Sequence, residues 1–267
     1  MHDDAWLTVA TLNTRGVPVT GSRLAVRYRA IGEAFEASDA DVVTVQEVFT
    51  YWHLRLLARR MRSFRQVAYR PSAAGPAGGL VTFSRLPVSG RAFHGFGFPP
   101  AAPGVSWLAR ADAGLKGVLV TRLPEPGACV VNVHPLPNRD GDWSPANRFF
   151  PLHQAQLAVV ARVVGELTTP AVVCGDFNVA ADSVLMPGFL SQTGLADAFS
   201  GQSPATFHAE FLGPSARPHR IDFILVSPAI RAGSTQVLFG GRQPLRGRME
   251  YLSDHVGLQA RLHLAPD

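Results

Sequence analysis

The residues able to do chemistry in this 267-residue chain recur at one kind of place. Asn13 follows the apolar run LTVATL, Glu47 follows DVVTVQ, and His134 follows CVVNV. Asp176 and Asn178 follow AVVCG, Asp222 begins the run DFILV, and Asp254 and His255 stand directly before VGLQARL. Carboxylates and amides offer oxygen to cations, and imidazoles exchange protons near neutral pH. Each residue alone also has a plain structural reading. Asn13 ahead of Gly16 suits a turn, and Glu47 suits a helix N-terminus. GDFN suits an Asx turn, His134 a satisfied core histidine, and Asp222 a partner for Arg220. Their joint occurrence at the ends of apolar runs is what packing does not explain. A strand end supplies a rigid backbone and an exposed tip, where an active site is well placed.

The elements that must hold these residues are short runs rich in Val, Ile and Phe. Strands are predicted at 7–12, 41–46, 80–83, 117–122, 129–134, 171–174, 221–226 and 256–262. Helical spacing is predicted over 23–37, with Leu24, Tyr28, Ile31 and Phe35 on one face. It recurs over 51–61 and over 145–167, where Pro151 kinks the helix or starts its regular part. This mixture predicts two packed sheets with helices outside, in a single domain covering 1–267. The Gly/Pro-rich stretch 93–107 reads as a long loop.

Composition narrows the function classes. The net charge of +5 is mild, and suits an anionic partner such as nucleic acid or a phospholipid surface. No apolar run reaches the ~18 residues of a membrane span. Cys129 and Cys174 each sit in a valine-rich run, so both are expected as buried thiols rather than a disulfide scaffold. The acidic start MHDDAW does not resemble a signal peptide, and the expected compartment is cytoplasmic, with peripheral membrane contact allowed. HExxH, CxxC and GxSxG are absent, which leaves zinc and serine-hydrolase readings without their motifs. The basic residues Arg55, Arg59, Arg60, Arg62 and Arg65 read as a solvated helix face, with DNA or anionic lipid as the alternative.

The segments LNTRG, VQEVF, NVHPLPN, GDFNVAADS, RIDFILVS and LSDHVGL resemble the endonuclease/exonuclease/phosphatase superfamily, and they extend over nearly the whole chain. The resemblance implies a four-layer α/β sandwich, with two mixed sheets face to face and helices outside, like deoxyribonuclease I. It implies Mg²⁺-dependent hydrolysis of a phosphodiester, with Mn²⁺ able to substitute. A hard cation offsets the charge that grows on the phosphate oxygens during attack. On this reading Glu47 is the principal Mg²⁺ ligand and Asn13 its neutral companion. His255, fixed by the neighbouring Asp254, is the general base on water, with Asp176 as the competing base. His134 protonates or hydrogen-bonds the leaving oxygen. Asp176 and Asn178 hold the water, the phosphate or a second metal, and Asp222 supports a histidine or the leaving group.

Arg15 stands where the nuclease branch carries an acid, and is expected to contact phosphate or the sandwich edge instead of metal. Three features resemble the neutral sphingomyelinase branch. DAGLKG places Lys116 where it can reach a phosphate. The segment 134–157 offers Asn147, Arg148 and His153 as substrate contacts or as parts of a capped helix. The aromatic loop 93–107, with Phe93, Phe96, Phe98 and Trp107, either dips into lipid or folds over the core. The preferred substrate is therefore a phospholipid. The alternatives are a nuclease on DNA or RNA, and a binding module that has lost catalysis.

Overall fold

A computed structural model describes residues 5–17, 22–99, 102–202, 204–214 and 216–264. The chain forms β1 (Ala5–Asn13), α1 (Leu24–Glu36), β2 (Val42–Gln46), α2 (Tyr51–Ala58), β3 (Gln66–Ala68), β4 (Val81–Ser84) and β5 (Gly90–Gly95). It continues with α3 (Trp107–Leu115), β6 (Gly117–Leu123), β7 (Ala128–His134), α4 (Phe150–Gly165), β8 (Ala171–Asp176), α5 (Leu185–Thr193) and β9 (Ala196–Asp197). The last elements are β10 (Asp222–Val226), β11 (Ile230–Leu238), β12 (Gln243–Leu245), β13 (Arg248–Glu250) and β14 (Gly257–Leu264). One six-stranded sheet has the order β11-β14-β1-β2-β4-β3, the other β5-β6-β7-β8-β10-β9, and β12 and β13 form a separate hairpin.

The two-residue period of a strand assigns each side chain to a layer. Leu7 and Val9 of β1 pack with Val130, Val172, Cys174 and Ile224 of the second sheet, which fills the space between the sheets. Ala10 and Leu12 point the other way and pack on Tyr28, Ile31 and Leu57 from α1 and α2. Val131, Val173 and Phe223 form the outer face of the second sheet beneath Leu157, Val160 and Phe189 from α4 and α5. The order helix, sheet, sheet, helix is the four-layer sandwich that the resemblance implied.

All eight predicted strands and three predicted helices have observed counterparts. The third helix starts later than its pattern, at Phe150, with Pro151 in its first turn. The predicted 93–107 loop is the main correction. Phe93 lies on the edge strand β5, and Trp107 opens α3. Pro100 and Ala101 lie outside the described residues. The α3 helix is nine residues long and buries only Ala113, so it has no core-facing stripe for the sequence to display. The long strand β11 was also missed, because it borders β14 with most side chains exposed and carries a bulge between Ala232 and Ser234.

Candidate active site

The face that buries Leu7 and Val9 turns polar toward one edge of the sandwich. Thr44 Oγ1 lies 3.3 Å from Cys174 Sγ, and burial pushes that thiol up to about 12. One step further, Gln46 donates to Asn132 Oδ1 at 2.8 Å, and Asn132 donates to the carbonyls of Val45 and Val81 at 3.1 Å. Beyond them the strand ends converge. Asn13, His134 and Asp176 end β1, β7 and β8, whereas Asp222 begins the antiparallel β10 and pairs in register with Asp176. Glu47 follows β2, and Asp254 and His255 precede β14. Parallel strands thus contribute their C-terminal ends and antiparallel strands their N-terminal ends to one place.

His255 Nδ1 shares a 2.9 Å hydrogen bond with Asp222 Oδ2, and its Nε2 lies 3.8 Å from Asp176 Oδ2. Burial opposes the imidazolium, but Asp222, Asp176 and Asp254 outweigh it and raise His255 to about 10. Burial raises Asp176 to about 7, reinforced by Asp222 and opposed by His255 and by hydrogen bonds from Asn13 and Asn178. The expectation that Asp254 fixes the imidazole is corrected here. Asp254 instead lies 3.4 Å from Arg15 Nε, and Asp222 is the hydrogen-bonded partner. Phe207 closes the other side of the imidazole edge-on, at 4.9 Å between ring centroids.

Glu47 Oε2 accepts from Gly16 N at 2.8 Å and Oε1 from Asn13 Nδ2 at 3.3 Å. Asn13 Nδ2 also donates to Asp176 Oδ2 at 2.9 Å, so Glu47, Asn13 and Asp176 form one chain of oxygen-bearing groups. The approach at Gly16 is so close that a Cβ there would stand 1.7 Å from the Glu47 carbonyl oxygen. Arg15, Glu47 and Asn178 all have positive φ, at 51°, 64° and 52°. Such conformations are costly for these residues and persist only where surrounding structure holds them. Buried Arg27 supplies part of that hold, donating to the carbonyls of Thr14, Arg15 and Leu252.

This donor set suits a hard divalent cation. Carboxylate and amide oxygens predominate, Asp222 Oδ1 is buried with no hydrogen-bond partner among the described residues, and burial raises Asp176 despite the opposing charge of His255. Asp176, Asp222 and His255 also offer ligand atoms all within 4.8 Å of one another. Asp222 holds His255 through a hydrogen bond and is not among the residues that line the cleft, whereas Glu47 and Asn13 open onto it.

The other expected residues divide. His134 is buried, with Nε2 3.6 Å from Asp176 Oδ2 and the Lys116 Nζ 3.3 Å from both ring nitrogens. Burial and Lys116 hold this imidazole well below its usual pKa. Asn178 spends its donors on Asp176 and the Pro135 carbonyl. Arg15 is committed to Asp254, and its guanidinium covers Phe211 at 4.3 Å. His153 is buried and donates to the Leu136 carbonyl at 2.8 Å, while Arg148 and Asn147 grip Asp140. These three tie the 135–149 loop to the start of α4, which favours their structural alternative, although α4 has no side-chain cap.

A cleft of about 680 Å³ opens over Asn13, Glu47, His134, Asp176, Asn178 and His255. Its outer wall includes Arg139, Trp143, Phe207, Phe211, Arg217 and His219, none of which the sequence singled out for the site. They stand on irregular segments with no periodic pattern. Trp143 is held there by donating Nε1–H to the Asn178 carbonyl at 2.9 Å and by an edge-on contact with His219.

The chain is 22% identical over 275 residues to a Drosophila melanogaster protein named "Putative neutral sphingomyelinase", covering 97% of this chain and 61% of that relative, so it spans under two thirds of the relative's length. Among solved structures, D. rerio TDP2 in complex with a single-strand DNA product is 16% identical, with a TM-score of 0.71 and coverage of 97% and 99% of the two chains. A mannosyl-6-phosphatase of Bacteroides thetaiotaomicron is 20% identical, with a TM-score of 0.70 and coverage of 96% and 99%. These structural likenesses bear on the fold. Residues 10–255, which include every strand end of the cluster, match the model of the Endonuclease/Exonuclease/phosphatase family, and the chain belongs to that family of hydrolases acting on phosphodiester or phosphate-ester bonds.

Proposed function

We propose that this chain is a Mg²⁺-dependent phosphodiesterase, with Mn²⁺ able to substitute, whose preferred substrate is a phospholipid cleaved as a sphingomyelinase would cleave it. The observation that carries the reading is the His255–Asp222 pair opening onto the same cleft as Glu47, Asn13 and Asp176. Glu47 and Asn13 would hold the cation, which when bound offsets charge on the phosphate oxygens. Asp222 orients the imidazole through Nδ1 and leaves Nε2 facing Asp176 and the cleft, where a proton from water is taken up. With a cation held by Glu47 and Asn13, His255 would be less readily protonated and could serve as the neutral base. Asp176, poised near 7, is the second proton acceptor within reach and, with Asn178, borders the position of the water. His134, held neutral by burial and Lys116, is suited to hydrogen-bonding the leaving oxygen rather than to delivering a proton. Arg15 and Lys116 reach phosphate only by leaving Asp254 and the His134 ring.

The lipid preference is supported by the sphingomyelinase-named relative and by Phe98 and Trp107, which are 54% and 65% exposed. Phe96 is partly buried against the core and is withdrawn from the membrane-facing set, as is Phe93 on β5. No helix among the described residues is long and apolar enough to cross a membrane. A nuclease reading draws on Arg139 and Arg217, exposed guanidinium groups in the cleft without a hydrogen bond or ion pair among the described residues. Turnover with Mg²⁺ of sphingomyelin, phosphatidylcholine, inositol phospholipids, plasmid DNA and single-stranded RNA, side by side, tests the choice. A phospholipid is expected to turn over fastest, and hydrolysis confined to nucleic acid would contradict the lipid reading.

A further inference from the structure

The three most exposed large apolar side chains among the described residues share one short helix. Trp107, Leu108 and Leu115 of α3 are 65%, 74% and 73% exposed, and Phe98 stands beside them at 54%. Exposing such residues together is unfavourable unless something covers them. Next to α3 runs a second cleft of about 580 Å³, lined by Val17, Phe49, Leu108, Ala109, Leu136 and Phe149. Its polar residues include Glu47, Lys116, Arg139 and Arg148. Glu47, Pro137 and Arg139 belong to both clefts, so the two meet at the proposed cation ligand.

We propose that the second cleft takes the apolar arm of an amphiphilic phosphodiester, and that the exposed face of α3 seats the enzyme on the lipid surface holding that substrate. The inference rests on the phospholipid reading and gives it a geometry. A phosphate at Glu47 has a cleft on each side, which fits an ester with two substituents. The side with Val17, Phe49, Leu108 and Phe149 matches hydrocarbon, and the catalytic cleft, with Arg139, Trp143 and His219, receives the polar head. Arg139 and Arg148 along the groove match the phosphate-bearing layer of a bilayer. A lipid surface is a better occupant of α3 than a protein, because a protein seated there would stand at the groove that leads to Glu47. An interfacial helix of this kind sinks its apolar side chains while flanking basic groups stay at the head groups.

Trp107→Ser combined with Leu115→Ser tests the seat, because neither residue lines the groove. The full chain is co-sedimented in EDTA with vesicles of phosphatidylcholine, sphingomyelin and phosphatidylserine. The unaltered protein is expected to co-sediment, and the double variant to bind on the order of tenfold more weakly or worse, with its Tm within about 2 °C of the parent. Ala109→Trp fills the groove, and is expected to raise KM for long-chain sphingomyelin in micelles relative to bis(p-nitrophenyl) phosphate. Equal vesicle binding by parent and double variant overturns the proposal. So does a large fall in Tm, which would make these residues part of the core, or an unchanged KM ratio in Ala109→Trp. Failure of the parent to hydrolyse any diester with Mg²⁺ counts against the phosphodiesterase reading, whereas vesicle binding in EDTA is read without turnover.

Discussion

On one wall of the catalytic cleft Asn13, His134 and Asp176 are at most 1% exposed and, like the fully buried Asp222 that holds His255, sit at strand ends fixed by sheet register. On the opposite wall Arg139, Phe211 and Arg217 stand exposed on the 135–149 and 204–220 segments, outside any strand. Proton transfer needs groups held within a hydrogen bond of one another, and hydrogen-bonded strand ends hold them. Substrate choice needs only a shaped, changeable surface, and loops supply that. The same fold can therefore keep one wall while varying the other, as expected where different phosphate esters are cut on one scaffold.

Substitutions on the first wall should have the largest effects. His255→Ala and His134→Ala should each reduce turnover on the order of 10²–10⁴-fold. A substrate with a good leaving group, such as a nitrophenolate, should partly rescue His134→Ala and leave His255→Ala slow. Equal rescue of both would remove the division between base and leaving-group partner. Asp222→Asn and Asp254→Asn then sharpen the comparison. Loss of the 2.9 Å partner should lower turnover much more than loss of the Arg15 partner, and a reversal would restore Asp254 as the orienting acid.

The same pair sets a pH dependence of stability in the metal-free protein. His255 is raised to about 10, so its contribution is complete below the ordinary value near ~6.5 and is lost as pH rises through about 10. The raised Asp176 has the same sign at lower pH, its contribution being lost as pH rises through about 7. Tm in EDTA should therefore decline from pH 7 to 10. The decline should be shallower in Asp222→Asn, and an identical slope would mean that Asp222 does not sustain the imidazolium.

The polar bridge behind the site should matter to stability. Asn132→Ala would strip the carbonyls of Val45 and Val81 of their donor, at a cost of about 1–3 kcal/mol, read by denaturant titration. The smallest effect is expected at the exposed rim of the neighbouring cleft, which Arg148 lines. Arg148→Ala loses an exposed pair with Asp140 and should barely change stability, with KM moving more than kcat. A collapse of kcat there would show that the loop positions the reacting groups directly.

Legibility in the sequence follows the same division. Register and burial make Val-rich runs visible, so Asn13, Glu47, His134, Asp176 and His255 could be located from the runs they end or precede. The partner of His255 was legible only in part: Asp222 was expected to support a histidine or the leaving group, but adjacency in sequence favoured Asp254 for His255. The actual partner arrives from β10, which begins antiparallel to β8 and brings Asp222 opposite Asp176. Trp143, Phe207 and His219 were hidden because irregular segments have no period, and α3 because a nine-residue helix with one buried residue shows no core-facing stripe within a Gly/Pro-rich stretch.

The central claim is that the buried wall is a cation-assisted phosphodiesterase site with Glu47 as principal ligand. The most direct test is hydrolysis of bis(p-nitrophenyl) phosphate by the parent and by Glu47→Gln, each in EDTA and after addition of Mg²⁺ or Mn²⁺, with Tm recorded alongside. Turnover should vanish in EDTA, return with either cation in the parent only, and remain absent in a folded Glu47→Gln. Full activity in EDTA, or a Glu47→Gln variant that responds to Mg²⁺ as the parent does, would contradict the account.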